Sequence, residues 1–183
     1  MTKLIRAIIK YSLWPASLMI LGKIAGLVIA VIFYKLTIYS TNEVEGLFSY
    51  QLLFTSDSDT LLANSVSNFT MLALLFLGFL YFSIKYFLSS SIANNPKTIV
   101  KLVRMNLIGL IIGNNYSFLK SFIWSSYMIS ACLISLIASL NGNSYSWIGL
   151  ISFIIILGCV WGLIKSFEIE SSKIYPENNK ILY

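Results

Sequence analysis

Residues 67–88, SNFTMLALLFLGFLYFSIKYFL, decide what kind of object this chain becomes. No charged residue occurs from Phe69 to Ile84, and Lys85 ends the uncharged run. At a helical rise of about 1.5 Å per residue the stretch reaches roughly 33 Å, enough to cross a hydrocarbon core of about 30 Å. A lone strand of this composition would leave its backbone N–H and C=O groups unpaired in lipid, so the stretch must be a helix.

Working outward, three further apolar runs of similar length occupy 15–39, 121–140 and 145–164. The whole chain agrees. It has 183 residues, 57% of them hydrophobic and only 11% charged, with a mean hydropathy of +0.81, where a soluble domain carries about 25% charged residues. The expectation is an all-α polytopic membrane protein, with residues 1–183 forming one domain of four transmembrane helices.

The placement of charge sets the expected orientation. Lys3, Arg6 and Lys10 precede the first span; Lys97, Lys101, Arg104 and Lys120 lie between the second and third; Lys165, Lys173 and Lys180 follow the fourth. The opposite side holds Lys35 with Glu43, Glu45, Asp57 and Asp59. Basic flanks stay in the cytoplasm, which predicts a multi-pass protein of the plasma (inner) membrane with both termini cytoplasmic. Trp14, Trp124 and Trp161 would then mark the cytoplasmic boundary, and Tyr39, Tyr145 and Trp147 the outer one. The basic start, MTKLIRAIIK, leads into an apolar run too long for a signal peptide and without an A-x-A site, so it reads as an uncleaved signal-anchor.

Two segments are expected to be amphipathic helices lying in the plane of the cytoplasmic interface. One covers about 2–13. The other covers about 96–112, where Asn95 can cap, Pro96 suits the first helical position and Gly113 supplies a stop. Lys97, Lys101 and Arg104 fall at i, i+4 and i+7 in the second, and Lys3, Arg6 and Lys10 repeat the device in the first. Such stripes offer cations to anionic lipid headgroups or to an acidic partner. The net charge of +6 therefore points to a membrane surface and not to nucleic acid. The long outer loop, about 40–66, contains EGLFSYQLLF, too apolar to float in water; it lies along the outer leaflet or covers a partner. Its SDSDT stretch reads as a solvated loop leading into span two.

Within the first span the stretch GKIAG, residues 22–26, places Lys23 inside the apolar run. An intramembrane ionisable group is a functional hypothesis by default. Its stem can also carry the ammonium toward a surface, and Cα–Cβ bonds tilt toward the helix N-terminus, which here favours the cytoplasmic side. Three readings follow: an anchor stretched to the interface, a charge facing a partner's carboxylate or a lipid phosphate, or a group lining a transport path. Lys85 is the milder case, expected at the inner end of span two. No Asp, Glu or His lies inside any span, and proton or cation relays commonly use such groups.

Small residues recur at helical spacing. Gly22, Gly26 and Ala30 form a helix-packing seam in span one, and Gly158 with Gly162 forms another in span four; span three adds Ser121, Ser125, Ala131, Ser135 and Ser139. Such seams let helix backbones approach closely in lipid, where the hydrophobic effect offers no drive. They serve contacts within one chain or contacts with another subunit.

No catalytic chemistry is legible. The chain has no His, and its two cysteines, Cys132 and Cys159, both lie in apolar runs, so no metal site, haem or disulfide framework is expected. No phosphate-binding loop or nucleophile elbow occurs, and no cofactor is implied. Asn68-Phe-Thr70 and Asn115-Tyr-Ser117 match the glycosylation pattern, but the first begins too near the membrane and the second falls on the cytoplasmic side. The expected function is that of a structural or assembly subunit, not an enzyme, in contact with membrane lipids and with other membrane subunits or copies of itself. The alternative is a small oligomeric channel or carrier with Lys23 facing the path.

Overall fold

The computed structural model describes residues 2–41, 51–54, 56–93 and 116–174. Four helices dominate: α1 Lys3–Tyr34, α2 Asp57–Ala93, α3 Ser117–Leu140 and α4 Ser146–Ile174. All four are long and apolar enough to cross a membrane. Between α1 and α2 a short antiparallel ladder joins β1, Ile38–Thr41, to β2, Gln51–Phe54, with Ile38 opposite Phe54 and Thr41 opposite Gln51. The second expected in-plane segment, 96–112, lies outside the described residues.

The first expected in-plane segment, 2–13, is not a separate element. It forms the opening three turns of α1, which runs unbroken through Pro15. Proline removes one backbone donor and crowds the preceding turn, at a cost of about 3 kcal/mol. Breaking the helix there would expose several backbone groups to lipid instead, a larger penalty. The other end comes earlier than the expected 39, because Lys35 adopts a left-handed conformation (φ 52°, ψ 40°) that closes the helix and turns the chain into β1.

Helix α2 begins ten residues before the expected start. The SDSDT stretch is its N-terminal turn and not a loop: the Asp59 N–H donates to Ser56 Oγ at 3.2 Å, while Thr60 Oγ1 donates to the Ser56 carbonyl. Asp57 and Asp59 sit in that first turn, where the helix dipole favours negative charge. Helix α4 likewise runs ten residues past its expected end at 164, and Lys165 bonds Glu168 one turn on at 2.6 Å.

Helix α2 is the centre of the bundle and packs against α1, α3 and α4, while α3 packs against both α1 and α4. The core gathers Met71, Leu72 and Leu75 of α2, Trp124, Met128, Ala131 and Cys132 of α3, and Ile148 and Cys159 of α4. Both cysteines are buried and unbonded to each other. A tight turn through Gly142 (φ 74°) makes α3 and α4 antiparallel neighbours. Ser65 of α2 ties into it: its Oγ accepts from the Tyr145 N–H at 2.9 Å and lies 3.3 Å from Ser144 Oγ.

Candidate functional site

Among the described residues, the basic flanks of α1, α3 and α4 lie at one end of the bundle. A cavity of about 430 Å³ opens there between α1, α2 and α3. Helix α1 supplies Lys10, Tyr11 and Trp14; α2 supplies Tyr81 and Phe82; α3 supplies Lys120 and Trp124. The i, i+4 spacing of Lys10 with Trp14, and of Lys120 with Trp124, puts each cation one turn beyond an indole on the same helix face. Lys120 Nζ stands 4.6 Å from the centroid of the Tyr11 ring, an attractive cation–π position. Trp124 forms the floor. It is only 6% exposed and stacks on Phe82 with centroids 5.2 Å apart; a Cβ on Gly78 would overlap its ring. Trp124 is thus a packed wall, whereas Trp14 is 69% exposed and Trp161 also faces outward.

Among the described residues neither Lys10 nor Lys120 meets a carboxylate. Lys3 and Arg6 are exposed on α1, at its positive dipole end, where cations are disfavoured; their position therefore reflects something other than helix stability. Lys97, Lys101 and Arg104 lie outside the described residues. Lys85 is half-buried, with Nζ 5.9 Å from the Tyr81 ring.

The two glycine seams have opposite surroundings. Gly22 and Gly26 face α2, and Ala30 is fully buried above them. A Cβ on Gly22 would come within 2.8 Å of the Met71 Cα, and one on Gly26 would meet the backbone at Ser67. The contact is also hydrogen-bonded, since Ser67 Oγ donates to the Lys23 carbonyl at 2.8 Å. Around Gly158 and Gly162, by contrast, nothing of the described residues beyond the helix's own adjacent backbone lies within 4 Å of where a Cβ would stand.

The Lys23 side chain is exposed, pointing away from the bundle while its carbonyl is engaged by α2. Thirteen residues separate it from Lys10 and twelve from Lys35, about 20 Å and 18 Å along the helix.

Neither a protein-family model, nor a curated protein, nor a solved structure is similar to this chain. The arrangement itself must therefore carry the reading. Among the described residues no three His, Cys, Asp or Glu side chains come together. The groups on offer are cations, aromatic faces and small-residue helix surfaces, which bind and pack.

Other features escape the residue pattern. Tyr86, 2% exposed, donates to the Ser166 carbonyl at 3.2 Å and to Glu170 Oε2 at 3.3 Å, which joins α2 to the extended end of α4. Asn68 is buried inside α2, a position closed to glycan transfer; Asn115 lies outside the described residues. At the opposite end of the bundle a wider cleft, about 770 Å³, is edged by Phe33, Phe69, Tyr145 and Trp147.

Proposed function

We propose that this protein is a structural or assembly subunit of a membrane complex, set in the plasma (inner) membrane with both termini cytoplasmic. It packs against other membrane proteins and lies among anionic lipids. The basic stripe at 96–112 would rest in the same interface. The observation that carries this reading is Lys23, a full charge near mid-depth of a span that faces out of the bundle.

A lysine at the centre of a transmembrane helix costs about 2.5–3.5 kcal/mol on insertion scales. Stretching its stem recovers several ångströms, less than the roughly 18–20 Å that separate it from either flanking lysine. A carboxylate on a neighbouring helix would remove the remainder. This chain cannot supply that carboxylate to a second copy of itself, because residues 60–84 and 121–164 contain no Asp or Glu. The partner is therefore a different chain, with an acidic residue at mid-span. The open glycine face of α4 supports the same reading, since such surfaces receive a second helix. A conduction path using Lys23 would have to run between chains, because the side chain points away from the other three helices.

The test is purification in gentle detergent of the intact protein and of Lys23→Arg, Lys23→Leu and Lys23→Glu variants. The expected result is a heteromeric assembly retained with arginine, weakened with leucine and lost with glutamate. Compensating charge reversal on a mid-span acid of the co-purified subunit should restore it. A protein that purifies as the same homomeric species in all four forms would sink the proposal.

A further inference from the structure

We propose that the cavity between α1, α2 and α3 at the basic end is a binding site for one anionic phospholipid, its phosphate held between Lys10 and Lys120. This rests on the chain crossing a bilayer and is independent of whether a protein partner meets Lys23.

Depth is the first argument. Lys120 immediately precedes the uncharged stretch 121–140, about 30 Å of helix, so its ammonium stands where the hydrocarbon ends and phosphates begin. Lys10 occupies the matching place before the apolar body of α1. The mouth of the cavity is thus at headgroup level and its aromatic walls reach toward the acyl chains.

Charge is the second. Lys10 and Lys120 both line one cavity, and none of the described residues that line it is acidic. Elsewhere at this end Lys165 has Glu168 at 2.6 Å; among the described residues these two have no such neutraliser. Two cations at the rim of one cavity favour an anion there, and a phosphodiester has oxygens enough to accept from both. A choline headgroup would bring its own cation into the same field, so the site discriminates against zwitterionic lipid.

Shape is the third. A volume of about 430 Å³ takes a glycerophosphate headgroup and the start of one chain, not a whole lipid, and the remainder continues into the bilayer along Trp14. Tyr81 and Trp14, both lining residues, carry hydrogen-bond donors. Phe82 and Trp124 are stacked, and the close fit of Gly78 under Trp124 holds that wall in place without bound lipid.

Native mass spectrometry of the full chain, titrated with phosphatidylglycerol or with phosphatidylcholine of the same chain length in mixed micelles, tests the proposal. We expect one phosphatidylglycerol per chain, retained at least about tenfold better than phosphatidylcholine. K10Q and K120Q should each lower retention about fivefold, the value of one lysine near an anionic surface, and K165Q should leave it unchanged. Equal retention of both lipids, or equal loss in K165Q and K120Q, would overturn the assignment. Displacement of the lipid by millimolar inorganic phosphate would overturn it too, since the site would then read a free anion. Absence of any bound lipid of either type, with tags showing no membrane insertion, would instead be the failure of the membrane reading.

Discussion

Gly22 and Gly158 carry the same residue in the same kind of pattern and have opposite fates. The first touches the α2 backbone and the second faces open space. Gly22→Val should therefore destabilise the isolated protein by about 1–3 kcal/mol through overpacking, read as a lower midpoint in detergent unfolding. Gly158→Val should leave that midpoint within about 0.5 kcal/mol while reducing any assembly with a second helix. Spacing alone revealed both seams, but it has no term for which one is already covered. That depends on how the four helices are arranged around α2, a tertiary fact. Buried polar atoms are a second matter decided residue by residue. Ser135 is fully buried and its Oγ has no hydrogen-bond partner among the described residues, whereas Ser125 and Ser152 donate to the carbonyls four residues back. Ser135→Ala should be neutral or stabilising by up to about 1 kcal/mol, since it deletes an unsatisfied group, and Ser67→Ala should cost about 1 kcal/mol because it breaks the bond to the Lys23 carbonyl. Thermal unfolding of the two variants side by side would separate them; equal losses would count against this account.

The existence of the four helices was plain from the apolar runs, but their ends were not. Hydropathy marks where lipid stops, and helices continue past it wherever the chain can satisfy their terminal groups. Ser56 does this for α2, and the signal was present in the residues: a serine followed three positions later by Asp59 has the spacing of a capping box. Ser56→Ala should cost about 1 kcal/mol and fray the first turn, visible as faster amide exchange at Asp57–Thr60 and unchanged exchange near Met71. Helix α4 outruns its apolar stretch for a different reason. Its extension carries the Lys165–Glu168 pair, which at an exposed site contributes under about 1 kcal/mol, and the acceptors for Tyr86, which is buried. Tyr86→Phe should lower stability by about 1 kcal/mol and loosen α4 beyond Lys165, as read by protease sensitivity there. No periodicity in the chain announces that contact, because its partners are 80 and 84 residues apart.

Across the whole molecule α2 is central, while α1 and α4 flank it, so Lys23 lies on a flanking helix. The hairpin of α3 and α4 completes the core with α2, while α1 presents a charged and apolar flank. The cavity at the basic end was only half legible. Lys10 belonged to a recognisable basic stripe, whereas Lys120 lay in a list of flanking charges with nothing to join it to Tyr11 until α1 and α3 were seen side by side.

The unbroken course of α1 through Pro15 has a mechanical consequence. Its 32 residues make a helix of about 48 Å, far more than a membrane interior is thick, and Pro15, which deletes one rung of the hydrogen-bond ladder, is where that length bends most easily. A load applied to the shaft would reach Lys3 and Arg6 as a bend at Pro15.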